Sequence, residues 1–119
     1  MKRDYRLYID DILEATHKIE EYTRNLTYEQ FSKDYKTIDA VIRNFTIIGE
    51  AAKHIPSSIR KKYRDIPWKD MAGMRDILVH EYFGVRVDIV WETIKKRLPQ
   101  LQPLIESMLR QIDGETREK

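Results

Sequence analysis

The chain has no cysteine, only four glycines and four prolines in 119 residues, and no long apolar run. Without cysteine there is neither a disulfide staple nor a thiolate metal site, a usage that suits a reducing compartment. A membrane-spanning helix needs about 18 consecutive apolar residues, and Met1-Lys2-Arg3-Asp4-Tyr5 carries no hydrophobic signal core, so a cytoplasmic protein is the expectation. The four glycines are isolated, which removes a glycine-rich phosphate loop. The three histidines, His17, His54 and His80, lie on different segments, and His80-Glu81 is not followed by the second histidine of a zinc-protease motif. No serine-nucleophile pattern occurs. Any chemistry is therefore expected to use no metal and no cofactor, and to be built from Arg, His, Asp and Tyr.

What is present is helical periodicity. Tyr5, Tyr8, Ile9, Ile12, Leu13, Ile19 and Tyr22 keep a three-four spacing, which predicts one amphipathic helix from about Asp4 to Arg24. Thr27 with Gln30 three residues on has the form of a capping box opening a short turn through Phe31. A second long helix is predicted from Tyr35 to His54, with Tyr35, Ile38, Val41, Ile42, Phe45, Ile48, Ala51, Ala52 and Ile55 on its stripe. Gly49 and the two alanines suggest that another helix comes close there. Asp39, Arg43 and Glu50 read as ion-pairing groups at the stripe edge. Pro56 stops this helix, Ser57 or Ser58 can cap a short turn through Tyr63, and Pro67 suits the start of the next helix. Asp88 is a candidate cap for a helix bearing Ile89, Val90, Trp91, Ile94 and Leu98. Pro99 and Pro103 suggest a bend and a restart before the last stripe, Leu101, Leu104, Ile105, Met108, Leu109 and Ile112. Residues 113–119 read as a flexible polar tail. The expected fold is all-α, a single-domain up-and-down bundle of four to five helices over residues 1–119.

Net charge is +2 but unevenly placed. Between Lys53 and Arg75 stand Lys53, Arg60, Lys61, Lys62, Arg64, Lys69 and Arg75 against Asp65 and Asp70 only, so that segment is +5 and the remainder −3. A solvated surface turn is the ordinary explanation of such a run, but a local basic patch is also what a phosphate-bearing partner requires. Arg60, Lys61, Lys62, Arg64 and Lys69 are the candidate RNA-binding residues.

The patch leads into Met71-Ala72-Gly73-Met74-Arg75-Asp76-Ile77-Leu78-Val79-His80-Glu81-Tyr82-Phe83-Gly84. On a helical wheel Met71, Met74, Leu78 and Tyr82 share a stripe, and Arg75 falls inside it, a costly place for a cation that cannot lose its proton. Arginine and histidine together suit RNA cleavage without a metal. A histidine can take the 2′-hydroxyl proton or protonate the leaving 5′-oxygen, and the guanidinium fork can stand beside the crowded phosphate. On one unbroken helix, however, Arg75 and His80 are about 140° apart, whereas Asp76 sits beside His80. The two could converge through a break before Gly84, or through a second copy of the motif across a two-fold axis.

The pattern Arg, four residues, His, one residue, Tyr, formed by Arg75, His80 and Tyr82, resembles the HEPN-domain toxins of the HepT type. Gly49-Glu50-Ala51, Ile66-Pro67-Trp68, Met71-Ala72-Gly73-Met74 and Trp91 extend the resemblance over about Tyr5 to Leu101. It implies a helical bundle that forms a homodimer, with two Arg–His motifs lining one cleft. It also implies a metal-independent endoribonuclease toxin encoded beside a minimal nucleotidyltransferase antitoxin, which transfers AMP from ATP onto the motif tyrosine. By position, Arg75 and His80 would be catalytic, Asp76 supporting and Tyr82 the modified residue. Two other readings stand beside this one. One is a non-catalytic helical adaptor for a nucleotidyltransferase or nucleic acid; the other is a structural dimer in which Arg75 only pairs with a carboxylate.

Overall fold

The computed structural model describes residues 4–80 and 86–118, with the side chains of 76–80 and 115–118 left outside the description. Its order is α1 (Tyr5–Thr23), α2 (Tyr28–Lys33), α3 (Tyr35–Lys53), α4 (Ser57–Lys62), α5 (Trp68–His80), α6 (Val87–Glu92), a π-helical turn (Thr93–Arg97) and α7 (Leu98–Glu118). The fold is an all-α bundle. Four long helices carry it, and the short pieces α2, α4 and α6 connect them.

Side-chain oxygens supply the starts of the first three helices. Asp4 accepts from the Arg6 N–H (3.0 Å) ahead of α1. The Thr27–Gln30 capping box is complete: Thr27 Oγ1 accepts from the Gln30 N–H (3.1 Å) and Gln30 Oε1 from the Thr27 N–H (3.0 Å). Asp34 opens α3 by accepting from both the backbone N–H (3.1 Å) and the hydroxyl (2.6 Å) of Thr37. The Thr37 hydroxyl, and after it the backbone N–H, hold the Asp34 carboxyl below its ordinary range because both bonds favour the ionised form.

Two expected caps are absent. α4 starts after Pro56 with no side-chain cap, because the Pro56 carbonyl takes the first helical bonds and both Ile59 and Arg60 N–H groups donate to it (3.0 Å each). At α6 the N-cap is Arg86, and Asp88 lies one residue inside the first turn. There the Arg86 guanidinium grips it with two bonds (3.1 and 2.9 Å), which lowers the Asp88 pKa.

The core runs through the bundle. Ile9, Ile12 and Ile19 of α1, Val41, Phe45 and Ile48 of α3, Met71 of α5, and Ile105 and Met108 of α7 are all essentially inaccessible, as is Phe31 of α2. Fully burying each such side chain contributes about 1.5–3 kcal/mol. Tyr35, on the expected stripe of α3, instead lies 77% exposed at the first helical residue, and Tyr22 on α1 is exposed as well. Trp91 of α6 packs its ring against Phe31 (5.1 Å between centroids) and Tyr28 (6.1 Å), which docks the short α2.

No break occurs at Pro99 or Pro103. A proline ring collides with the carbonyl four residues back, and a wider turn relieves that conflict. The turn before Pro99 is of this kind: the Leu98 N–H reaches the Thr93 carbonyl, five residues back. α7 then continues to Glu118, past the start of the polar segment, and Asp113 is tied to Arg6 of α1 at 2.8 Å.

Candidate active site

The geometry of the site is set by Gly49. A Cβ placed there would come within 2.9 Å of the Arg75 Cβ, 3.2 Å of the Arg75 nitrogen and 3.3 Å of the Met71 carbonyl oxygen. The absent side chain lets the α5 backbone at Arg75 settle directly on α3. The next residue along α3, Glu50, then takes the guanidinium: Arg75 Nη1 lies 2.6 Å from Glu50 Oε1, a short charge-assisted bond. Both side chains are about two-fifths exposed (41% each), so the arginine sits at the rim of the apolar stripe. Met71 and Met74 on the same helix are buried. The apparent misplacement of Arg75 on the wheel is thus resolved by a glycine–glutamate pair on the facing helix.

Beyond Arg75 the helical backbone is unbroken as far as His80. Five residues of α-helix turn the chain through about 500°, which leaves Arg75 and His80 about 140° apart around the axis. The break that would bring them together within one chain therefore does not fall between them. The side chains of Asp76 and His80, and all of Tyr82, lie outside the described residues.

The basic cluster is largely gathered. Arg60, Lys61 and Arg64 from α4 and the turn after it face Lys69 at the start of α5 across a groove of about 720 Å³. Its floor is Ile66, Pro67 and Trp68. Local bonds shape this floor. The Trp68 indole N–H donates to the Tyr63 carbonyl (3.1 Å), and the Pro67 carbonyl accepts the first α5 bond from the Met71 N–H (3.0 Å). The one carboxylate lining the groove, Asp70, has the Arg97 guanidinium 3.9 Å away, so the groove stays net positive. Lys62 points elsewhere, its ammonium over the Tyr63 ring at 5.5 Å. Lys69 stands eleven residues before His80, about 16 Å along the helix.

Two residues with a place in this arrangement carried little signal of their own. Glu50 was readable only as an ion-pairing group within Gly49-Glu50-Ala51. His54, one turn further along α3, stacks on Tyr8 of α1, with centroids 4.9 Å apart and planes within 15°. Its Nδ1 is 2.8 Å from the Glu50 carbonyl oxygen.

Comparison with known proteins identifies the class. The model of the family described as ribonuclease HepT-like matches residues 12–108. A protein of Thermococcus cleftensis named probable ribonuclease HepT is 47% identical over 108 residues, covering 91% of this chain and 98% of its own length. A Methanocaldococcus jannaschii protein, named as a candidate RNase, is 41% identical over 96% of this chain and 94% of its own. One from Caldanaerobacter subterraneus, similarly named, is 42% identical over 87% and 93%. No solved structure matches the chain. The chain belongs to the HepT-like ribonuclease family.

Proposed function

We propose that this ribonuclease is a metal-independent endoribonuclease acting as the toxin of a toxin–antitoxin pair. It works as a homodimer in the cytoplasm and is neutralised when a cognate nucleotidyltransferase adenylylates Tyr82. The observation that carries the reading is the Arg75–Glu50 pair on an unbroken α5 helix. It holds a permanent cation at the protein surface, oriented and accessible to a phosphate. A histidine turned about 140° away is then best used with a second copy of the helix.

In the proposed reaction His80 of one subunit removes the proton of the 2′-hydroxyl, whose oxygen attacks the adjoining phosphorus. The P–O5′ bond breaks, leaving a 2′,3′-cyclic phosphate, and His80 of the other subunit gives the departing 5′-oxygen its proton. Arg75 neutralises the charge gathering on the phosphoryl oxygens, and Asp76, the neighbour of His80 on the helix, steadies the imidazole. Arg60, Lys61, Arg64 and Lys69 hold phosphates further along the strand, with Lys62 adding to the local field. Adenylylation joins the Tyr82 oxygen to the α-phosphorus of ATP and expels pyrophosphate. Each added AMP brings a negative charge and a nucleoside to the motif, which repels and blocks RNA.

The test is digestion of RNA by the purified chain in the presence of a chelator. His80→Ala should lower the rate about 100- to 10,000-fold, the usual contribution of general acid–base catalysis. RNA left intact by the wild-type chain over a broad range of pH and substrates would sink the nuclease mechanism. Salt-sensitive RNA binding without products would favour the adaptor reading. Incubation with the nucleotidyltransferase and ATP should raise the mass by AMP units in the wild type and not in Tyr82→Phe.

A further inference from the structure

We propose that the His54–Tyr8 stack is a platform for one base of single-stranded RNA, next to the phosphate that Arg75 engages. This rests on the ribonuclease reading above and adds to it a base-binding site. The imidazole is fixed on two sides. One face lies on the Tyr8 ring at 4.9 Å and 15°. One edge, Nδ1, is 2.8 Å from the Glu50 carbonyl oxygen; a carbonyl only accepts, so Nδ1 carries the proton and donates. His54 is nonetheless an exposed residue, while Tyr8 beneath it is half-buried. Among the described residues no other ring, ion pair or hydrogen bond engages the opposite face or the remaining edge.

A flat ring held rigid beneath an open face suits a nucleobase, which stacks on histidine and tyrosine whatever its identity. Rigidity also means that little side-chain freedom is lost on binding. The location adds the second argument. Glu50 serves both parts: its carboxylate holds Arg75 at 2.6 Å, and its carbonyl holds the His54 ring. The platform therefore begins one helical turn, about 5.4 Å, from the residue that positions the arginine. That is the scale of the reach from a phosphate to the base of its own or the adjoining nucleotide.

The experiment measures binding of a fluorescent 2′-O-methyl single strand, which lacks the attacking hydroxyl and stays intact. The wild-type chain is compared with His54→Ala and His54→Phe. Loss of one stacked base should weaken the Kd about 5- to 150-fold in His54→Ala, while His54→Phe, which restores an aromatic face, should stay within a few-fold of wild type. Strands carrying a single abasic position, scanned along the sequence, should show one position whose loss weakens the wild type but not His54→Ala. Equal binding by His54→Ala and wild type would overturn the proposal and leave the nuclease reading standing. Binding by His54→Phe as weak as that of His54→Ala would also overturn it, since an aromatic face would then not be what the strand meets. A wild-type chain that binds no strand would remove the nuclease reading itself.

Discussion

A guanidinium stays charged at any pH the fold survives, so the placement of Arg75 is a matter of what faces it. Glu50 faces it, at 2.6 Å, with both side chains two-fifths exposed. A pair so open to water adds only about 0–1 kcal/mol to stability, so its value lies in orientation. Glu50→Gln keeps the size and an acceptor but removes the charge that holds the guanidinium in one pose. The Tm should move by no more than a few degrees, whereas kcat on RNA should fall, by up to about 100-fold if the fork drifts by an ångström. Thermal melts and single-turnover cleavage on the same preparation separate the two effects. A large drop in Tm with kcat preserved would make the pair merely structural.

At the scale of helices, the close contact of α3 and α5 depends on one glycine and not on another. Gly49→Ala would put a Cβ 2.9 Å from the Arg75 Cβ, a backbone-anchored atom with little room to yield. Overpacking of this kind costs about 1–3 kcal/mol, which outweighs or cancels the gain of about 1 kcal/mol that alanine brings to a helix interior. Gly73, on α5 itself, has no atom of the described residues within 4 Å of such a Cβ, so Gly73→Ala should gain that helix term. Melting curves should therefore place Gly49→Ala below Gly73→Ala, by roughly 4 °C for each kcal/mol in a chain of this size.

The close approach at Gly49 was legible beforehand, because small residues on a stripe of isoleucines leave room for a neighbour. Helices α1 and α3 were legible to within a residue or two for the related reason that three-four spacing records the buried face. The capping box at Thr27 was equally readable, since both partners are local. What escaped was decided by competition between local groups or by tertiary contact. The Pro56 carbonyl made a serine cap unnecessary, Arg86 claimed Asp88, and a π turn accommodates Pro99 so that the helix runs on where a restart was expected. The Arg75–Glu50 and His54–Tyr8 pairings join residues from different helices, and no spacing rule links them.

At the scale of the whole molecule, one bundle supplies one Arg75, one His80 and one basic groove. Proton transfer in RNA cleavage needs a base and an acid at opposite sides of the phosphorus, and a single imidazole cannot stand at both. The proposed two-fold dimer would supply the second, along with a symmetric pair of grooves each about 16 Å along α5 from its own His80. If both histidines are required, subunit mixing has a definite signature. Wild-type chain and His80→Ala, mixed in equal amounts and allowed to exchange, give dimers of which about a quarter hold two intact histidines. Activity per total protein should then fall to about a quarter of the undiluted wild type. If each chain cleaves by itself, half of the activity remains, because half of the chains are intact. The same mixture run at concentrations well below the dimer dissociation constant should lose activity altogether in the first case and keep its half share in the second. Sedimentation of the wild type over that range supplies the dissociation constant against which the loss is read, and a monomer with full specific activity would end the two-chain site.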